Sequence, residues 1–164
     1  VIRPESEGDR EAVSEINRAA FGQPDEAELI ARLRSEGVVV ASLVADVDGR
    51  TVGHILFSSL EVAADERTVR AVSLAPMAVL PEYQGRGVGS ALVRNGLEAC
   101  RDRGIEAVVV LGHADYYPRF GFRMEWMAKF RAPFSGDAFM GVELKEGALR
   151  CRGGRVVYPK AFGI

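Results

Sequence analysis

Leu80-Pro81-Glu82-Tyr83-Gln84-Gly85-Arg86-Gly87-Val88-Gly89-Ser90 is the stretch on which the reading of this chain turns. An apolar, β-branched run precedes it and an amphipathic helical pattern follows, so it is the turn between a buried strand and a helix. Glycines at 85, 87 and 89 let a ligand approach the backbone closely. The unpaired N–H groups of the helix start, backed by the helix dipole, form an anion site. A phosphate suits that place. The spacing excludes a Gly-x-x-x-x-Gly-Lys-Ser/Thr phosphate loop, and the stretch from Gly87 to Leu92 lacks the last glycine of the dinucleotide fingerprint.

Working outward, the preceding run Val69 to Leu80 reads as a strand interrupted by Pro76. Proline has no N–H for a ladder, so a bulge or a local loss of pairing is expected there. Downstream, Val88, Leu92, Val93, Leu97 and Cys100 recur at helical spacing, with Arg101 and Arg103 in the last turn and Gly104 as the stop. Glu106 to Leu111 is a continuous apolar run fit for a buried parallel strand, which makes strand, helix and strand a crossover unit. Upstream, Val1 to Pro4 reads as an edge strand, and two helices follow, one ending near Gly22 and one running from Pro24 to Gly37. Two antiparallel strands, Val38 to Val47 and Thr51 to Ala63, are joined at Asp48-Gly49, the strongest hairpin signal in the chain. A polar turn at Ala64 to Arg67 leads into the interrupted strand. Beyond the crossover, Ala114 to Phe120 reads as a short helix and Gly121 to Met124 as the start of a strand. Phe139 to Leu144 and Val156 to Tyr158 read as final strands around a Gly147 to Gly154 turn region.

The chain has 164 residues, which is the size of one domain, 48% apolar and 27% charged residues, and a formal charge of -2. Such a balance argues against a nucleic-acid binder, which needs clustered Lys and Arg. No apolar run approaches the ~20 residues of a spanning helix, and Val1 to Glu5 does not resemble a secretory signal. The expectation is a cytoplasmic protein with no membrane association. Two cysteines and two histidines in no ligand spacing predict no disulfide framework and no metal site.

Gln84-x-x-Gly87-x-Gly89, preceded by Met77 to Tyr83, resembles the acetyl-coenzyme A signature of the GCN5-related N-acetyltransferases (GNAT). Tyr117-Pro118-Arg119-Phe120-Gly121-Phe122 is similar to the Tyr-x-x-x-Gly-Phe that this family carries after its next strand. The resemblance implies an α/β fold: a central, mostly antiparallel mixed sheet with one splayed parallel strand pair and flanking helices. It further implies a single N-acetyltransferase domain over 1–164 with its motif core at about 69–124. In this family the strand before the signature is bulged, and its unpaired backbone, here Met77, Ala78 and Val79, pairs with the pantetheine arm. The pyrophosphate is then expected on the N–H groups of Gln84, Gly85, Arg86, Gly87, Val88, Gly89 and Ser90, with the Arg86 side chain either a phosphate partner or a solvated surface group.

The reaction so implied moves an acetyl group from acetyl-coenzyme A, the cosubstrate, to a primary amine on a small molecule or peptide. The absence of a Ser, Cys or His nucleophile arrangement favours direct attack in a ternary complex. Tyr117, matching the family's tyrosine, is the expected general acid, and Tyr116, one residue out of phase with Gly121-Phe122, is the less favoured of the pair; aromatic packing on a short helix is the alternative for both. His113 and Asp115 are candidate bases, as are His54 and Glu61 on the hairpin. The resemblance places acceptor recognition on Phe21, Gln23 and Glu26 and on Phe130 to Phe134. A catalytically weak coenzyme A-binding module, acting as sensor or interaction subunit, is the alternative, and a monomer or a homodimer fits either reading.

Overall fold

A computed structural model describes residues 1–65 and 67–164. The elements run β1 (Ile2–Pro4), α1 (Arg10–Phe21), α2 (Asp25–Ser35), β2 (Val39–Val47), β3 (Arg50–Ala64), β4 (Arg67–Val79), α3 (Val88–Asp102), β5 (Ala107–Leu111), β6 (Phe130–Arg131), β7 (Phe139–Glu143) and β8 (Gly154–Val157). Strands pair in the order β1-β2-β3-β4-β5-β7, with β8 alongside the far half of β3 and β6 alongside β8. The pair β4–β5 is parallel, as is the short β6–β8 pair, and the others are antiparallel.

Strand alternation sorts the apolar side chains between two layers. Val44, Val52, Leu56, Ala78 and Leu80 face α1 and α2, where Val13, Ile16, Ile30 and Leu33 cover them. Their neighbours Leu43, Ala45, Ile55 and Phe57 face the opposite way, onto Leu92, Val93, Leu97 and Cys100 of α3. Cys100 is therefore a core residue, and burial pushes its thiol up to about 12, which leaves it inert near neutrality. Close approach of α3 depends on Gly96: a β-carbon there would lie 2.4 Å from the Phe57 ring. The far half of the sheet is covered by the C-terminal segment through Met127, Phe130, Leu149 and Tyr158.

At Asp48-Gly49 the hairpin forms as expected, with φ of +50° and +76°, the two positive values a type I′ turn requires. The expected turn at 64–67 includes Glu66, which lies outside the described residues. Two local expectations are corrected. Gly121 to Met124 does not begin a strand; it holds one isolated bridge, Arg123 to Gly141. The helix expected over Ala114 to Phe120 shrinks to one 3-10 turn at Tyr117–Phe120, with Pro118 in its first positions. Too few hydrogen bonds form over so short a segment to hold either element without tertiary packing. No helix among the described residues is long and apolar enough to cross a membrane.

A cleft between diverging strands

β4 and β5 pair only from Ala71↔Ala107 to Ser73↔Val109. Past that point each strand keeps its outer partner and loses the inner one. β4 goes on against β3 through Met77↔Ile55 to Val79↔Gly53, while β5 goes on against β7 through Val110↔Met140 and Leu111↔Phe139. The divergence coincides with a bulge. Between the pairs Phe57↔Leu74 and Ile55↔Met77, Ala75 and Pro76 of β4 face the single residue Leu56. The inner edge of β4 from Leu74 to Val79 is thereby left facing open space.

Candidate active site

That space is a cavity of about 810 Å³, lined on one side by Leu74 to Val79 and on the other by Val110 to His113. The start of α3 contributes Gln84, Gly85, Gly87, Gly89 and Ser90 to the lining, and the α1–α2 corner, from the opposite face of the sheet, contributes Ala20, Phe21, Glu26 and Leu29. Gly87 is the N-cap of α3 at φ +85°, a left-handed conformation that turns the chain from the loop into the helix. Gln84 closes the same loop from its side chain: Nε2 donates to the Val79 carbonyl at 2.9 Å. Gly89 faces the cavity, because a β-carbon there would lie 3.5 Å from both Met77 Cε and the Tyr116 hydroxyl. An extended ligand with an unpaired strand edge along its length and free helical N–H groups at one end fits this shape. It is the shape a pantetheine arm and a pyrophosphate need.

Tyr117 lines the cavity from the 3-10 turn that follows β5 and is 7% exposed. Its ring packs edge-on against Tyr116 and Phe122, at 5.0 and 5.6 Å between centroids, and lies directly over Gly112, where a β-carbon would come within 2.4 Å of it. Burial pushes the Tyr117 hydroxyl up to about 12, with the neighbouring Tyr116 adding to the rise, so it stays protonated throughout the neutral range. Tyr116 is not only a packing residue. It too lines the cavity, and its hydroxyl lies 3.0 Å from Ser90 Oγ at the start of α3. Arg119, also lining, is tethered to it: Nε donates to the Tyr116 carbonyl at 2.9 Å and the guanidinium lies 4.5 Å from the ring centroid.

Of the two candidate bases after β5, His113 lines the cavity and Asp115 does not. Phe21 and Glu26 line it; Gln23 stands behind, its amide donating to the Glu26 carboxylate at 3.1 and 3.2 Å. Arg86 lies outside the lining, 5.2 Å from the centroid of the Tyr83 ring, and the Val88 side chain packs into the core beside Gly53. Phe130 to Phe134 belong to the opposite end of the sheet, with Phe134 against Tyr158 and Phe139. Glu61 pairs on β3 with Arg70 and Val157 and takes no part in the cavity.

His54 is withdrawn from the site altogether. It is fully buried beneath α1, on the helix-covered face of β3. Asn17 Nδ2 donates to the Val13 carbonyl at 2.9 Å, which orients the amide so that an N–H also points at His54 Nδ1, 3.4 Å away. Nδ1 is therefore the acceptor and Nε2 carries the proton, donating to Ser42 Oγ at 2.9 Å. Ser42 in turn donates to Glu5 at 2.6 Å, and Glu5 accepts from Arg34. A second proton on the ring would face an N–H. Burial, opposed by Glu5 and reinforced by Arg34, brings the His54 pKa from 6.5 down to about 4. The folded state thus disfavours the proton that the unfolded state accepts. Its stabilising contribution is complete above pH 6.5 and is lost as the pH falls through about 4. The unfolding free energy from denaturant titrations should fall by about 2–3 kcal/mol between pH 7 and 4.5, and in His54→Gln the loss over that range should shrink. The Asp9 and Asp46 carboxyls, held low by the Arg3 guanidinium, lose their contributions only below that window.

Among the described residues no cluster of His, Cys, Asp and Glu has the makings of a metal site. The model of the acetyltransferase (GNAT) domain family matches residues 1–124. The chain is 33% identical to the uncharacterised N-acetyltransferase YhbS of Escherichia coli (strain K12), over 99% of this chain and 98% of that protein. It is 44% identical to YjhQ of the same strain over 70% of this chain, a match that spans 64% of YjhQ's own length. The fold superposes on the crystal structure of E. coli YhbS in complex with CoA with a TM-score of 0.90 at 32% identity, covering 100% of this chain and 92% of that one. A GNAT family acetyltransferase from Brucella melitensis in complex with acetyl-CoA gives a TM-score of 0.82 at 31% identity, covering 99% and 97%.

Proposed function

From the premise that the chain belongs to the GNAT acetyltransferase family, we propose that it transfers an acetyl group from acetyl-CoA to a primary amine by direct attack in a ternary complex. The observation that carries this reading is the cavity itself. Its lining brings an unpaired strand edge and a helix N-terminus together with the α1–α2 corner from the opposite face of the sheet, so both substrates can be held at once. Backbone groups of Met77, Ala78 and Val79 serve the pantetheine arm. The N–H groups of Gln84 to Ser90 serve the pyrophosphate. The unit that does this is the whole chain, 1–164, acting in the cytoplasm; both cysteines are free thiols, in keeping with a reducing compartment.

The amine must lose a proton before its lone pair attacks the thioester carbonyl, and the C–S bond then breaks as the new C–N bond is completed. His113, the candidate base that lines the cavity, takes the proton directly or through water, in preference to Asp115. Tyr117 acts on the leaving sulfur. With its pKa raised to about 12 against about 8.5 for an ordinary thiol, complete proton transfer from tyrosine to sulfur is uphill. Its role is to donate a hydrogen bond to the departing thiolate, the net proton coming from the amine. Thiol release from acetyl-CoA, measured across a panel of primary amines, tests the reading. Turnover with at least one amine, accompanied by an acetylated product, is the expected outcome. CoA binding without turnover on any of them would replace it with the non-catalytic binding module.

A further inference from the structure

We infer that the α1–α2 side of the cavity selects a primary amine carried on an apolar body and lacking a neighbouring carboxylate, with Glu26 holding its ammonium group. The inference rests on the transfer reading above and names the acceptor class for that same site.

Three observations converge on it. First, Glu26 is half-buried in the cavity wall and is hydrogen-bonded only by the neutral Gln23 amide; no ion pair to it forms among the described residues. Asp25 and Glu28, in the same first turn of α2, are exposed and complement the helix dipole without it. Second, Phe21 and Leu111, two of the few large apolar side chains exposed on this molecule, are 42% and 48% exposed and both line this cavity, where Leu29 joins them. Away from the chain ends, only Val157 shares that exposure among the large apolar residues described. Third, Arg119, the one arginine in the lining among the described residues, is tethered through Tyr116 to Ser90, and no arginine or lysine pairs with Glu26 among the described residues. A cation on an apolar stem matches this lining; an amino acid would set its carboxylate against that of Glu26.

The test uses 2-phenylethylamine and phenylalanine, which share body and amine and differ in the carboxylate. Titrated calorimetrically into the CoA-saturated protein, 2-phenylethylamine should bind at least tenfold more tightly than phenylalanine. Glu26→Gln should weaken 2-phenylethylamine tenfold or more and close the gap between the two, with CoA affinity unchanged; Phe21→Ser should weaken both ligands. Equal affinities in the parent, an unaltered preference in Glu26→Gln, or no binding of 2-phenylethylamine would each overturn the inference. Binding as expected with no thiol release from acetyl-CoA would overturn the transfer reading and leave the subsite standing. Turnover of other amines by a protein that does not bind 2-phenylethylamine would do the reverse.

Discussion

Tyr117→Phe should lower kcat by about a hundredfold, the scale on which one hydrogen-bond donor to developing negative charge contributes, while leaving CoA affinity and thermal stability close to those of the parent. The substitution removes only an oxygen. The ring keeps its edge-on contacts with Tyr116 and Phe122 and its seat over Gly112, so the core beneath the cavity is not disturbed. What is lost is a donor that burial keeps protonated up to about 12. The same pKa predicts that the alkaline side of the kcat/KM profile carries no fall from Tyr117 ionisation up to about pH 10, two units below that value. Single-turnover rates with a saturating amine, taken together with CoA titrations, read both quantities. A kcat within twofold of the parent would remove the hydroxyl from the chemistry; a parallel loss of CoA affinity would assign it to binding instead.

The second large effect is expected at Gly89. In Gly89→Val the first methylene position is tolerable, since a β-carbon meets Met77 and the Tyr116 hydroxyl at 3.5 Å, an ordinary contact distance. The branch methyls beyond it project into the cavity before the free N–H groups of α3. Losing one charge-assisted hydrogen bond there costs about 1.5–3 kcal/mol, which is about a tenfold to hundredfold weaker affinity for CoA. Gly89→Ala should bind almost normally. Gly87 is a poorer place for the test: at φ +85° any side chain adds backbone strain of order 1–2 kcal/mol, mixing stability with affinity. Equilibrium CoA binding by the parent, Gly89→Ala and Gly89→Val, with melting temperatures as control, separates the two. Unchanged affinity in Gly89→Val would move the anion site away from the start of α3.

Much of this architecture is legible in the sequence, and for a local reason. The Asp48-Gly49 turn, the Pro76 interruption, the glycines before α3 and the helix-strand alternation around them are consequences of φ preferences, missing donors and side-chain period, all of which act over a few residues. The bulge lies at Ala75-Pro76 and the parallel pair splays beyond Ser73. The acid candidate Tyr117, the strand edge Met77 to Val79 and the candidates Phe21, Glu26 and His113 all line one cavity.

What could not be read that way depends on which face of the sheet a residue occupies and on what lies across from it. His54 and His113 look alike in the chain, yet one is sealed under α1 by Asn17 and Ser42 while the other stands in the cleft. Tyr116 is out of phase with its motif, but a partner 26 positions away, Ser90, brings its hydroxyl to the head of α3. Gly112 had one visible signal, a glycine directly after a buried apolar strand, and its purpose appears only with the Tyr117 ring lying on it. Local chemistry was enough to choose the long strands, the bulge and the glycine-rich turn before α3, because each is a property of a short stretch of backbone. Packing alone decided which polar groups meet in the cleft, because that depends on distances between segments far apart in the chain.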